Sequence, residues 1–161
     1  MNVTKRIFVA VVIGVAAMVG IGLTPFAITP WPAAADPDPS LIGVRWVYAS
    51  ERTGGVSTPY AGAEAYVELR PKAADDPTPG NGLGLNGKDG CNSVATAATS
   101  QQPGRLTFRG LASTKMYCPP PTAEPQFARI FDGERDYRVT DDMLTFTDPA
   151  NGDSWAFRAE Y

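Results

Sequence analysis

Residues 137–157 read Tyr-Arg-Val-Thr-Asp-Asp-Met-Leu-Thr-Phe-Thr-Asp-Pro-Ala-Asn-Gly-Asp-Ser-Trp-Ala-Phe, and this stretch decides the fold class. Tyr137 and Val139, Leu144 and Phe146, and Trp155 and Phe157 each recur every second residue. A period of two is the pattern of a strand with one buried face. Between these pairs, Asp141-Asp142 and the Asp148–Asp153 segment collect the Asp, Asn, Gly and Pro residues of hairpin turns. The reading is three short antiparallel strands in succession.

The same alternation extends towards the N-terminus. Leu41 to Ala49 places Val44, Trp46 and Tyr48 on one side, and Ala65, Val67 and Leu69 alternate with Tyr66, Glu68 and Arg70. Leu83 with Leu85, Ser93 to Thr99, and Leu106 with Phe108 add further short strands. Glu51 to Gly62 reads as a loop, as does the polar, proline-broken stretch 71–82. Asn86-Gly87 and Asp89-Gly90 read as turns. One helix is expected, capped by Thr122, with Pro125 in its first turn and Gly133 ending it. Phe127, Ile130 and Phe131 sit at i, i+3 and i+4, so one face of that helix meets the core. The expected fold is mainly β (α+β). It is a compact antiparallel sheet or cracked barrel of about seven or eight short strands, with one short helix packed against it.

The chain has 161 residues, two cysteines and no histidine. Without imidazole there is no Ser-His-Asp or Cys-His nucleophile system, no His-ligated metal and no histidine pH switch. A net charge of −3 argues against a nucleic-acid surface, which needs clustered basic residues. Lys5 and Arg6 precede an uninterrupted apolar and glycine run from Ile7 to Leu23, and Ala33-Ala34-Ala35 precedes Asp36. A basic start, an apolar centre and an A-x-A site describe a signal peptide over residues 1–35, cleaved between Ala35 and Asp36 with Ala33 at the other small position. The alternative is an uncleaved membrane anchor in which residues 7–23 make the only membrane contact. Loss of Lys5 and Arg6 would move the net charge to −5. Residues 36–40, Asp-Pro-Asp-Pro-Ser, read as a linker ahead of a domain at 41–161. In an oxidising compartment Cys91 and Cys118 are most simply one disulfide. A redox-active pair would call for the C-x-x-C spacing that they lack.

Three blocks carry a resemblance. Leu41-Ile-Gly43-Val-Arg-Trp46 is similar to the opening strand of META domains, a family that includes heat-inducible HslJ-like exported proteins. Gly87-Lys-Asp-Gly90-Cys91-Asn92 resembles the family's G-x-x-G-C-N loop, and Thr114-Lys-Met116-Tyr-Cys118 resembles its T-x-M-x-C segment. The segment after Asn92, Ser-Val-Ala-Thr-Ala, departs from the family pattern, which commonly shows a glycine and an aromatic there. The resemblance implies a small, mostly antiparallel β domain in an envelope or secreted setting. It implies no established catalytic activity. In this reading Thr114 and Met116 alternate across a strand, with Met116 in the core. Asp89 and Asn92 either shape the turn or face a partner.

Other candidate sites are weaker. Gly82-Leu-Gly-Leu-Asn-Gly87 matches G-x-G-x-x-G, but no amphipathic helix follows to receive a phosphate. Asp148, Asn151 and Asp153 crowd one loop as calcium ligands would, without EF-hand spacing. Acid–base chemistry would fall to carboxylates, with Glu51, Glu64, Glu68, Asp89 and Asp141 as candidates, and no pattern pairs them. No metal or cofactor is expected. The expected function is that of a non-enzymatic, stress-associated protein of the cell envelope, with an interaction or structural role. A carrier holding an apolar, lipid-like ligand between sheet and helix is the alternative, and a secreted carboxylate-based hydrolase the third reading. The corresponding partner is an unknown envelope protein or an apolar small molecule.

Overall fold

A computed structural model describes residues 38–72 and 82–161. The expected signal peptide with its cleavage site at Ala33, Ala35 and Asp36, and the centre of the polar connection, lie outside the described residues. No helix among the described residues is long and apolar enough to cross a membrane.

The strands are β1 (Arg45–Thr53), β2 (Val56–Pro59), β3 (Ala65–Pro71), β4 (Gly82–Asp89), β5 (Ser93–Gln102), β6 (Arg105–Arg109) and β7 (Ala112–Ser113). A helix, α1 (Glu124–Ile130), precedes β8 (Asp132–Thr140), β9 (Met143–Thr147) and β10 (Ser154–Glu160). All ladders are antiparallel, in the order β1-β3-β4-β5-β6-β8-β9-β10, and β10 pairs back onto β1 from Arg45↔Glu160 to Arg52↔Ser154. The mainly β expectation therefore resolves to a closed eight-stranded barrel. Outside it, β2 pairs β1 and β7 pairs β5.

The predicted alternation is the barrel's inside and outside. Trp46, Tyr48, Ala65, Val67, Leu69, Leu83, Leu85, Leu106, Phe108, Leu144, Phe146, Trp155 and Phe157 are all buried. Chain between β6 and β8 makes a long excursion that returns as α1. Phe127 of this helix and Phe131, its C-cap residue, stack edge-on against Phe108, Phe146 and Tyr48 at centroid distances of 5.2–6.0 Å. They also meet Phe157 at 6.0 and 6.4 Å. Each buried ring contributes on the order of 1.5–3 kcal/mol through area alone, and the perpendicular contacts suit the ring quadrupoles.

Several expectations are corrected. Glu51 to Gly62 is not a loop: β1 continues to Thr53 and a Gly54-Gly55 turn leads into β2. The opening strand starts at Arg45, because Pro39–Leu41 forms a 3-10 turn that buries Leu41. The end of the expected linker is thus docked, with the Asp38 N–H on the Tyr137 hydroxyl at 3.2 Å. Ala123, not Thr122, is the helix N-cap, and it makes no side-chain cap. The helix stops before Gly133, which already lies in β8 with φ +82°.

Asn86-Gly87 is not a turn either. Both residues lie inside β4, paired with Glu68 and Val67 on one side and Ala95 and Val94 on the other. Only Gly90 of that region has positive φ, at +95°. Gly87 is required by closeness instead: a Cβ there would collide with the Tyr66 carbonyl oxygen and lie 2.9 Å from the Val67 Cα. Gly84, on the same strand, has nothing within 4 Å. Gly87→Ala is expected to lose about 2–3 kcal/mol of unfolding free energy, while Gly84→Ala stays within about 0.5 kcal/mol. Urea titration of the two variants measures both.

Candidate functional site

The two cysteine-bearing motifs meet at the β4–β5 connection. Cys91 and Cys118 form a disulfide with a Cα–Cα distance of 6.0 Å. Beside it Asn92, 2% exposed, turns its side chain inward. Its Oδ1 accepts the Met116 N–H at 2.9 Å and the Thr114 hydroxyl at 3.1 Å, and its Nδ2 donates to Cys118 Sγ at 3.3 Å. Thr114 Oγ1 also accepts the Ser93 N–H at 3.1 Å. One asparagine amide therefore satisfies three groups on the 114–118 segment, which has no regular ladder of its own after β7.

Asp89 completes the arrangement from the other side. It is fully buried, and its Oδ1 accepts the N–H groups of Cys91 at 3.0 Å and Asn92 at 2.7 Å, an Asx-type turn closed by a carboxylate. Its own carbonyl accepts the Ala123 N–H at 2.7 Å, which fixes where α1 begins. Gly90 is held close to the neighbouring loop: a Cβ would lie 2.8 Å from the Ala63 carbonyl oxygen and 3.1 Å from the Tyr60 hydroxyl. Burial, and then the nearby Asp89 charge, push the Tyr60 phenol above its ordinary range, and its hydroxyl donates to Ala63 O at 2.8 Å.

The remaining motif positions also serve the frame. Gly43, at φ +75°, donates its N–H to Leu69 O at 2.9 Å, and Trp46 is buried with its indole N–H on Leu41 O at 3.1 Å. Met116 is the exception and corrects an expectation: its side chain is 57% exposed, and that of Tyr117 is 93% exposed. The backbone is fixed here by Asn92 and the disulfide, so these side chains are free to point outward. Next to this segment, Tyr66, Glu68, Asn86, Lys88, Ser93 and Thr114 line an open groove of about 610 Å³ on the outer wall of the barrel.

The structure does not gather the candidate carboxylates. Glu51 pairs with Arg129 at 2.7 Å, Glu64 with Arg45, and Glu68 with Arg70 at 2.8 Å. Asp141, at φ +52°, forms the β8–β9 turn. In the Asp148–Asp153 hairpin loop, Asp148 Oδ1 accepts the Ala150 N–H, Asn151 Oδ1 the Asp153 N–H, and Asp153 Oδ1 the Gly54 N–H. Those oxygens shape the turn and tie it to the β1–β2 hairpin. No group of three or more His, Cys, Asp or Glu suited to a metal occurs among the described residues. The G-x-G-x-x-G stretch lies within β4 and its ladders, and the chain continues from it through the Asp89–Asn92 turn into β5, not into a helix.

Arg135 escaped the sequence reading. It is 8% exposed, donates to the Glu134 carbonyl and to the Arg129 carbonyl at the end of α1, and lies 5.5 Å from the Trp155 ring. A cation on the last helical carbonyls suits the helix dipole. Its parity with Tyr137 and Val139 in β8 was the available signal.

Asn92→Ala is expected to cost about 2–3 kcal/mol, because buried donors lose their acceptor. Replacing both cysteines by alanine is expected to cost about 3.5 kcal/mol for a separation of 27 residues. As both changes release the same segment, the triple variant should lose at least about 0.5 kcal/mol less than the sum. Chemical denaturation of the four proteins reads this directly.

The sequence model of the META domain family matches residues 42–161, a span that includes all ten strands and α1. No curated protein and no solved structure gives a significant match to the chain. Both cysteine-bearing motifs fall inside the matched span and are joined by the disulfide. The chain belongs to the META domain family.

Proposed function

We propose that this META-domain protein is an exported, non-enzymatic interaction protein of the cell envelope, associated with stress tolerance, and that it acts through the exposed Lys115–Met116–Tyr117 segment. The observation that carries this is the contrast within the motif region. Asp89, Asn92 and the disulfide are spent on holding the loop, while Met116 and Tyr117 stand exposed on a pinned backbone. Apolar side chains displayed on a pre-ordered backbone bind with little further entropy loss, which is what a docking loop needs. Export rests on the expected signal peptide, and a disulfide accords with an oxidising compartment.

The carrier reading has less support. Its ligand would occupy the space between sheet and helix, and there Phe127 and Phe131 already stack on rings from β1, β6, β9 and β10. The hydrolase reading would need two convergent carboxylates, whereas three of its five candidates pair with separate arginines.

Crosslinking and capture from the native envelope tests the proposal, comparing the unsubstituted protein with Met116→Glu/Tyr117→Ser. Both side chains are exposed, so the variant should fold with unchanged circular dichroism. The expected result is a specific captured protein that the variant loses by tenfold or more. Equal capture by the two would contradict the proposal.

A further inference from the structure

Closing the barrel uses both edges of eight strands, so among the described residues free strand edges belong to β2 and β7. β7 is two residues long and leads at once into pinned Thr114. β2 is the longer of the two and is exposed at every residue, with Val56 at 68%. A free edge of this kind is a template for another strand, and any second copy of the chain carries the same edge.

The direction of each backbone group in β2 follows from its ladder. A two-residue turn at Gly54-Gly55 makes Thr53/Val56 the hydrogen-bonded pair that closes the hairpin. Four residues on, Tyr60 donates its N–H to Ala49 O at 2.9 Å, which is the same phase. Antiparallel pairs alternate between bonded and non-bonded. Val56, Thr58 and Tyr60 therefore turn their N–H and C=O groups to β1, and Ser57 and Pro59 turn theirs to the free edge. Proline has no N–H. Within β2 the outward edge thus offers a single donor, that of Ser57.

We propose that Pro59 keeps β2 from pairing with the β2 of a second copy of this chain. About a two-fold axis at Ser57, two copies exchange both Ser57 hydrogen bonds. The next bonded pair places Gly55 opposite Pro59, where the missing donor stops the ladder on both sides of the axis. A residue with an N–H at position 59 supplies the two bonds that are missing, in a strand that already holds Val56 and Thr58.

Analytical ultracentrifugation of the purified protein against Pro59→Thr and Pro59→Ala tests this. Both variants should self-associate at least tenfold more tightly than the unsubstituted protein. Adding Ser57→Lys to Pro59→Thr should reverse the effect, because like charges then meet at the axis. Variants that fold normally and sediment like the unsubstituted protein overturn the proposal. Amide exchange of Ser57 in the unsubstituted protein gives a reading independent of any variant's folding. The proposal requires that N–H to exchange quickly even at high concentration, and protection that grows with concentration means that the edge already pairs and Pro59 guards nothing.

Discussion

Two distant pieces of chain are made to agree by the amide of Asn92. From a buried position at the β4–β5 connection it accepts from Thr114 and Met116 and donates to Cys118, while the disulfide bridges the same two pieces. Asp89, two bonds of whose Oδ1 close the loop, passes the constraint on through its carbonyl to Ala123. That contact sets the start of α1. The helix in turn carries Phe127 and Phe131 into the aromatic interior, and without it the barrel would have to bury those rings' neighbours some other way. A buried amide with several partners is costly to disturb, since each partner left behind is an unpaired polar group.

Stability accordingly resides in the interior and in this clamp rather than in the charges outside. Arg105 pairs with Asp136 and Glu134, and Arg45 with Glu64 and Glu160, yet these side chains are a third to a half exposed. Exposed pairs of this kind are screened by water and add little to stability. The outer surface is therefore free to vary without loss of fold. In this chain it carries an open groove beside two exposed apolar residues, Met116 and Tyr117.

What the sequence made legible was local. Period-two alternation located the barrel strands, and i, i+3, i+4 spacing found the buried face of the helix, because both periods are imposed by backbone geometry alone. Closure was not legible: pairing of Arg45 with Glu160 joins opposite ends of the domain and leaves no local mark. Asn86-Gly87 reads as a turn by composition, yet its glycine exists to let β3 and β4 approach. Met116 reads as core because it is apolar, and is exposed because its backbone amide, not its side chain, is the group that the fold holds. Arg135 was missed for the opposite reason, being a charge at an inward position that the helix end accommodates.

The clamp makes one demand that can be read at a single atom. If Asn92 holds the motif segment, the Met116 N–H is bonded within the fold although its side chain lies in water. Native-state hydrogen exchange followed residue by residue measures this. The Met116 amide should be protected to the same free energy as the strands of the barrel. Exchange at the rate of an unstructured loop would contradict the account, because it would mean that the segment is carried by the disulfide alone and that Asn92 positions nothing.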